Sequence, residues 1–270
     1  MKKIDAKEFL KQTDETVFTT GFSEIDEFIK NVDKGSILTI GARPSMGKTF
    51  FAISILTHLL EENKKVCWFS PSLPMNNVIK RLAAHKLEIM PFQLDRNPEL
   101  KKKISDAVEY FAQKDLFIDD SSLLTIENIE EEIKTEAPDV VFIDYLQLLK
   151  MPKAPNFTDS INLAVQEIHR IAKETGVIFI ILSQLSRALE SRLDKRPMLF
   201  DIRSSSMLEE LSDVVMMLYR DEYYNHDDES NKGLAEVIFC KNEFGPTGLV
   251  HLLFNRIKFK DYTYENFKDN

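Results

Sequence analysis

The stretch Ser36–Leu56, SILTIGARPSMGKTFFAISIL, joins an apolar β-branched run to a glycine-punctuated loop and then to a segment of helical periodicity. Strand, loop and helix start in that order are the context in which a short phosphate-loop motif carries weight. Gly47, Lys48 and Thr49 supply the tail of the pattern G-x-x-x-x-G-K-[ST]; Ala42 stands at its first position, with Gly41 just before it. Small residues there let backbone N–H groups curl around phosphate oxygens, and the helix start adds the positive end of its dipole. Ala42, Arg43, Pro44, Ser45, Met46, Gly47, Lys48, Thr49 and Phe50 therefore form the candidate nucleotide-binding loop. Lys48 is expected to reach the β and γ phosphates, and Thr49 to hold Mg²⁺ through its hydroxyl.

Such a loop requires an acidic residue at the end of a buried strand, close to the metal. DVVFID, residues 139–144, provides one, with an apolar run ending in Asp144. The DYLQLLK that continues from it brings no second acid, so Asp144 fits a metal-orienting role rather than that of a base.

Working outward, short apolar runs at Ile37–Ile40, Val66–Phe69, Leu116–Ile118, Val140–Ile143, Val177–Leu182 and Val214–Leu218 read as buried strands. Helical periodicity fills Lys48–Glu62, Met75–Glu88, Glu99–Gln113, Ile126–Glu136 and Ser160–Thr175. Alternation of strand and helix implies an α/β fold with a mostly parallel twisted sheet covered by helices on both faces. After Val214 only strands follow, Ala235–Phe239 and Val250–Phe254 around GPTG, which predicts a C-terminal antiparallel hairpin. Asp221–Gly233, DEYYNHDDESNKG, is polar and aperiodic and reads as a mobile loop, with His226 an exposed loop histidine rather than a metal ligand.

With 270 residues, 43% of them hydrophobic and 29% charged, the chain can bury one large core. No apolar run reaches the length of a membrane span and no signal peptide precedes the body, so a cytoplasmic protein without a membrane partner is expected. Its two cysteines, Cys67 and Cys240, sit in apolar runs and read as buried small hydrophobes. A net charge of −9 argues against binding duplex DNA by bulk electrostatics.

Several motifs together resemble the C-terminal motor domain of DnaB-type replicative DNA helicases. They are TGFSEIDEFIKNVDKGSILTIGARPSMGKTFFA, VVFIDYLQLL, ILSQLSRALESRLDKRPMLFDIR, SDVVMMLYRDEYYN and GLAEVIFCKNEFGPTG. Recombinases and clock-type ATPases of the same core lack the SQLSR and DKRPM runs. The resemblance implies a RecA-like P-loop NTPase core over residues 20–270, preceded by an extension or docking segment at 1–19. It further implies ATP with Mg²⁺ bound between subunits of a six-membered ring, self-association or association with a helicase, other replication proteins as partners, and single-stranded DNA in the centre.

Carried onto matching positions, the resemblance makes Lys48, Asp144, Gln184 and Lys241 the catalytic set, with Gln184 at the end of a strand as γ-phosphate sensor. Two positions depart from the pattern. The glutamate that orients the attacking water falls at Ser72, within FSPSLP, and no Asp or Glu lies between Asn63 and Ile79. The arginine expected after Lys241 is Glu243. A positioned base is worth about 10² to 10⁴ in rate and an arginine finger about 10³ to 10⁵, so ATP binding with weak or absent turnover is expected. The alternative role is a hydrolysis-deficient relative that regulates, caps or loads a helicase ring. The DNA-facing candidates are Lys150, Lys153, Arg203, Ser204 and Ser205. Phe157 and Ser206 replace a basic residue and a glycine of the family's pattern, and weak, salt-sensitive binding of single strands is expected.

Overall fold

Strands rich in Val, Ile and Phe on both faces have to lie where helices cover them on both sides. The computed structural model describes residues 18–96, 98–202 and 206–263. In it the elements run α1 (Ser23–Phe28), β1 (Ile37–Ala42), α2 (Lys48–Glu61), β2 (Val66–Phe69), α3 (Met75–Leu87), α4 (Pro91–Arg96) and α5 (Lys101–Ala112). There follow β3 (Leu116–Asp119), α6 (Ile126–Glu136), β4 (Val140–Ile143), α7 (Phe157–Thr175), β5 (Ile178–Gln184), α8 (Ser206–Leu211), β6 (Val214–Tyr219), β7 (Leu234–Asn242), β8 (Gly248–Phe254) and β9 (Phe259–Asp261).

These strands form one sheet in the order β3-β2-β4-β5-β1-β6-β7-β8-β9. From β3 to β6 all neighbours pair in parallel, and β6 to β9 pair antiparallel. Residues alternate between two cores. Leu38, Ile40, Trp68, Phe142, Ile180 and Met216 join the helix α2 side. Ile37, Phe69, Val141, Ile143, Phe179 and Met217 join the side covered by α6 and α7. Helix starts follow their caps. Thr125 and Asn128 form a reciprocal capping box at α6, and the Asn156 side chain accepts from the Asp159 amide, which starts α7 at Phe157, ahead of the apolar stripe.

Each of the six runs read from the sequence is a strand, but β3 stands at the sheet edge and is partly exposed rather than buried, with Phe117 38% exposed; the α/β fold with a parallel sheet and antiparallel end is as expected. Three local readings are corrected. The terminal hairpin gains a third strand, because Phe259 buries itself against Phe254 and Phe51. Residues 221–233, expected to be mobile, are folded into two short turns. There Asp221 accepts from Tyr219, Asn225 and Asn231, so the polar composition serves internal bonds rather than solvent. Cys67 is buried as expected, but Cys240 is partly exposed. Most of the segment 1–19 lies outside the described residues.

Trp68 stacks on Phe142 across β2 and β4 with ring centroids 4.9 Å apart, and both are fully buried. Phe142→Ala is expected to cost about 3 to 5 kcal/mol, read from urea unfolding followed by the fluorescence of the single tryptophan. A loss below about 1 kcal/mol would contradict this packing.

Candidate functional site

In a parallel α/β sheet, the carboxyl ends of the strands open onto a crevice where ligands bind. Here β1 ends at Ala42, Ser70–Ser72 follow β2, Asp144 follows β4 and Gln184 ends β5. Parallel register therefore carries every one of these positions to the same sheet edge. Between β1 and α2 the backbone turns left-handed at Ser45 (φ 68°) and Gly47 (φ 94°). A Cβ at Gly47 would stand 3.0 Å from the Phe259 ring and 3.1 Å from that of Phe254. Glycine is thus required there by conformation and by space. No side chain caps the start of α2, so its first amides are free for an anion.

The resulting cleft of about 330 Å³ is lined by Ala42, Arg43, Pro44, Ser45, Gly47, Lys48, Thr49 and Phe50, with Ser72, Arg81, Asp144, Tyr145 and Gln184. Thr49 Oγ1 donates to Asp144 Oδ2 at 3.2 Å. Lys48 Nζ lies 4.7 Å from the centre of the Tyr145 ring. Burial pushes the Lys48 ammonium down to about 8, with Asp144 opposing the shift. Burial also raises the Asp144 carboxyl, against the pull of Lys48, the Thr49 hydrogen bond and Arg81. Each charge is short of solvation, and each would be relieved by an opposite charge. Phosphate oxygens suit Lys48, and a divalent cation suits Asp144 and Thr49.

Ser72, at the position of the expected glutamate, donates its hydroxyl to the Asp144 carbonyl at 3.0 Å. Among the described residues Asp144 is the only carboxylate lining the cleft. Gln184 lines the cleft, and its backbone N–H donates to Gln147 Oε1 at 3.4 Å.

Some sequence-derived positions lie elsewhere. Met46 is buried in the core, so its side chain anchors the loop and does not face the cleft. Arg43 lines the cleft but bonds to Glu190 and to the Leu185 carbonyl. Lys241 is outside this cleft; it is paired with Glu243 at 2.9 Å and also donates to the Glu210 carbonyl at 2.7 Å. Lys150 and Lys153 are exposed, near the exposed Phe157 that opens α7. Arg203, Ser204 and Ser205 lie outside the described residues.

Two features escaped the sequence reading. Arg81, on α3, reaches the cleft from the next helix, and burial lowers its guanidinium below the usual range; its one signal is a cation beside the buried stripe Val78 and Leu82. The second is an adjoining cavity of about 560 Å³ that includes Arg220, Tyr223, His226, Phe254 and Arg256. Arg220 Nη1 donates to the Ser45 carbonyl at 3.1 Å, and its guanidinium lies 4.6 Å from the centre of the Phe254 ring. Burial, with Arg256 nearby, pushes Arg220 down to about 10. A sequence signal existed in the arginine that ends the apolar run VVMMLYR.

The model of the DnaB-like helicase C terminal domain family matches residues 18–263. The chain belongs to that family. It is 37% identical over 255 residues to the replicative DNA helicase DnaB of Haemophilus influenzae, covering 89% of this chain and 54% of that protein. The chain thus spans about half the length of the curated relatives it matches. Among solved structures, a DnaB-like replicative helicase described with its interactions with primase superposes with a TM-score of 0.87 at 33% identity, over 95% of this chain and 65% of that one. A second solved structure, described as an ATPase domain, superposes with a TM-score of 0.85 at 33% identity, covering 95% of this chain and 96% of that one. No helix among the described residues is long and apolar enough to cross a membrane.

For this DnaB-family domain free of nucleotide, heteronuclear NMR of the lysine side chains should place the Lys48 midpoint near pH 8. Asp144→Asn removes the charge that holds the proton on and should move the midpoint lower. A midpoint at the ordinary lysine value of about 10.4 would contradict the enclosure of the ammonium.

Proposed function

We propose that this chain is the ATP-binding motor domain of a DnaB-type replicative helicase, acting in DNA replication, and that it hydrolyses ATP slowly. The observation that carries this reading is a cleft holding a buried lysine, a Thr49–Asp144 pair and no second carboxylate among the described residues. Lys48, the uncapped start of α2 and Arg81 would bind the phosphates. Thr49 and Asp144 would hold Mg²⁺, which would supply positive charge to offset that of the phosphates. The Phe254 ring and the planar Arg220 guanidinium offer flat surfaces suited to a base in the adjoining cavity.

Turnover is limited by proton transfer and by charge. The Ser72 hydroxyl proton is engaged with a backbone carbonyl, and a hydroxyl is a poor base at neutral pH. Asp144, the remaining carboxylate, is occupied with Thr49 and the metal position. Gln184 at the end of β5 is suited to sense the γ-phosphate by its amide. A second reading draws on the Lys241–Glu243 ion pair. A cation neutralised by its neighbour gives little to an adjacent subunit's triphosphate, which supports a chain that joins, caps or loads a helicase ring rather than driving it. Single-stranded DNA would bind weakly through Lys150, Lys153 and Arg203, given the net charge of −9.

The test is binding of ATP with Mg²⁺ together with steady-state hydrolysis, with and without single-stranded DNA. Tight binding with turnover well below about 1 s⁻¹ is expected, and Lys48→Ala should abolish binding. Ser72→Glu combined with Glu243→Arg should raise turnover by about 10² or more. Native turnover at or above about 1 s⁻¹ that is lost in Lys48→Ala would overturn the slow-hydrolysis reading.

A further inference from the structure

Glu190 neither lines the cleft nor belongs to the phosphate loop, yet it is bonded to that loop. Arg43 Nε donates to Glu190 Oε1 at 2.9 Å, and Arg43 Nη1 donates to the Leu185 carbonyl at 3.0 Å. One residue back, the Leu185 amide donates to the Ala42 carbonyl at 3.2 Å. Three bonds thus sew the first residues of the phosphate loop to the chain that leaves β5. Arg43 is mostly enclosed, its side chain 12% exposed, so these bonds fix where its guanidinium lies. Tyr224, from the turns after β6, also donates its hydroxyl to Glu190 Oε1, at 3.2 Å. Glu190 is therefore the point where the phosphate loop, the segment after β5 and the segment after β6 meet.

The segment after β5 is bonded within itself and is tied to β7 by the two-pronged Arg196–Glu236 pair at 2.7 Å. Glu190 sits in the turn Arg187–Ser191, whose Leu189 is buried in the core. Asp201 ties the unit at its base. Its carbonyl accepts from the Ser186 amide at 2.8 Å, and its carboxylate accepts from the Met198 amide at 2.8 Å and from Arg192 Nη2 at 2.6 Å. A bridge between Leu185 and Ile202 closes the neck. At the far end the unit presents Leu193, Met198 and Phe200, which are 105%, 45% and 67% exposed. Movement of Arg43 has a route of direct bonds into this unit, and the unit is held together tightly enough to respond as one body.

We propose that Glu190 is a positioning residue that fixes Arg43 in the phosphate loop and transmits occupancy of the cleft to the exposed segment 192–200. This rests on the nucleotide reading above. A ligand that orders Ala42–Ser45 orders what is bonded to them, so the segment opens less often when the cleft is filled. Without the carboxylate, Arg43 keeps its bond to the Leu185 carbonyl but loses its hold on the turn at Glu190, so the loop still binds phosphates and the segment beyond that turn no longer registers them.

The experiment is hydrogen exchange by mass spectrometry on the full chain, with and without a saturating non-hydrolysable ATP analogue and Mg²⁺. In the native chain both the start of α2 and residues 186–201 should exchange more slowly, the latter by about five-fold or more. In Glu190→Gln and in Glu190→Ala the start of α2 should remain protected while 186–201 loses its response. Glu190→Asp, which keeps the charge but draws it back from Arg43 and Tyr224, gives the same readout should the other two fail to fold. A nucleotide response at 186–201 that survives in these variants, or is missing from the native chain while α2 is protected, overturns the proposal. If neither region responds in the native chain, the nucleotide reading itself falls and takes this proposal with it.

Discussion

Two opposite charges placed out of water at one edge of a parallel sheet set the terms for this protein. The Lys48 ammonium and the Asp144 carboxylate sit in one cleft and are not in direct contact. Burial shifts both toward neutrality. A fold has little to gain from such an arrangement for its own stability, since buried charges are costly unless well paired. Its use lies in what it attracts, a polyanion for the lysine and a divalent cation for the carboxylate. The rest of the architecture supplies the enclosure: Gly47 lets the loop pass beneath two phenylalanine rings, and Met46 pins it to the core.

Most of the fold was legible because burial on both faces of a parallel sheet leaves an unmistakable record. Runs such as VVFI and IFIIL admit few other placements. The phosphate loop was legible for a different reason, since its small residues and its lysine must be contiguous to wrap a phosphate. What escaped was whatever depends on distant chain segments meeting. Arg81, more than thirty residues beyond the phosphate loop's lysine, reaches the cleft from another helix, and no local pattern marks a helical arginine as facing a ligand. Arg220, which follows β6, and Phe254, which ends β8, meet only because the antiparallel end of the sheet folds beside the loop. The strand β9 and the turns in 221–233 were hidden for a related reason: short elements held by side-chain bonds to Asp221 or by one buried aromatic carry almost no periodicity.

Ser72 and Glu243 have distinct structural consequences. At Ser72 the smaller side chain is absorbed quietly, turning its hydroxyl into a strut against the Asp144 carbonyl and leaving the cleft with one carboxylate among the described residues. At Glu243 the altered residue captures Lys241. On the proposed function, Ser72 would leave the cleft without a second proton acceptor, and Glu243 ties up a cation outside it. On that same proposal, the two together would give a domain that holds a triphosphate more readily than it cleaves it.

The most direct test of the central claim removes both charges at once. Thermal unfolding of Lys48→Met combined with Asp144→Asn should show a melting temperature equal to or a few degrees above that of the native chain when no nucleotide is present, because two poorly solvated groups are gone. The rise that ATP with Mg²⁺ gives the native chain should be absent from the double variant. A ligand-free double variant that melts well below the native chain, or one that nucleotide still stabilises in full, would contradict the account.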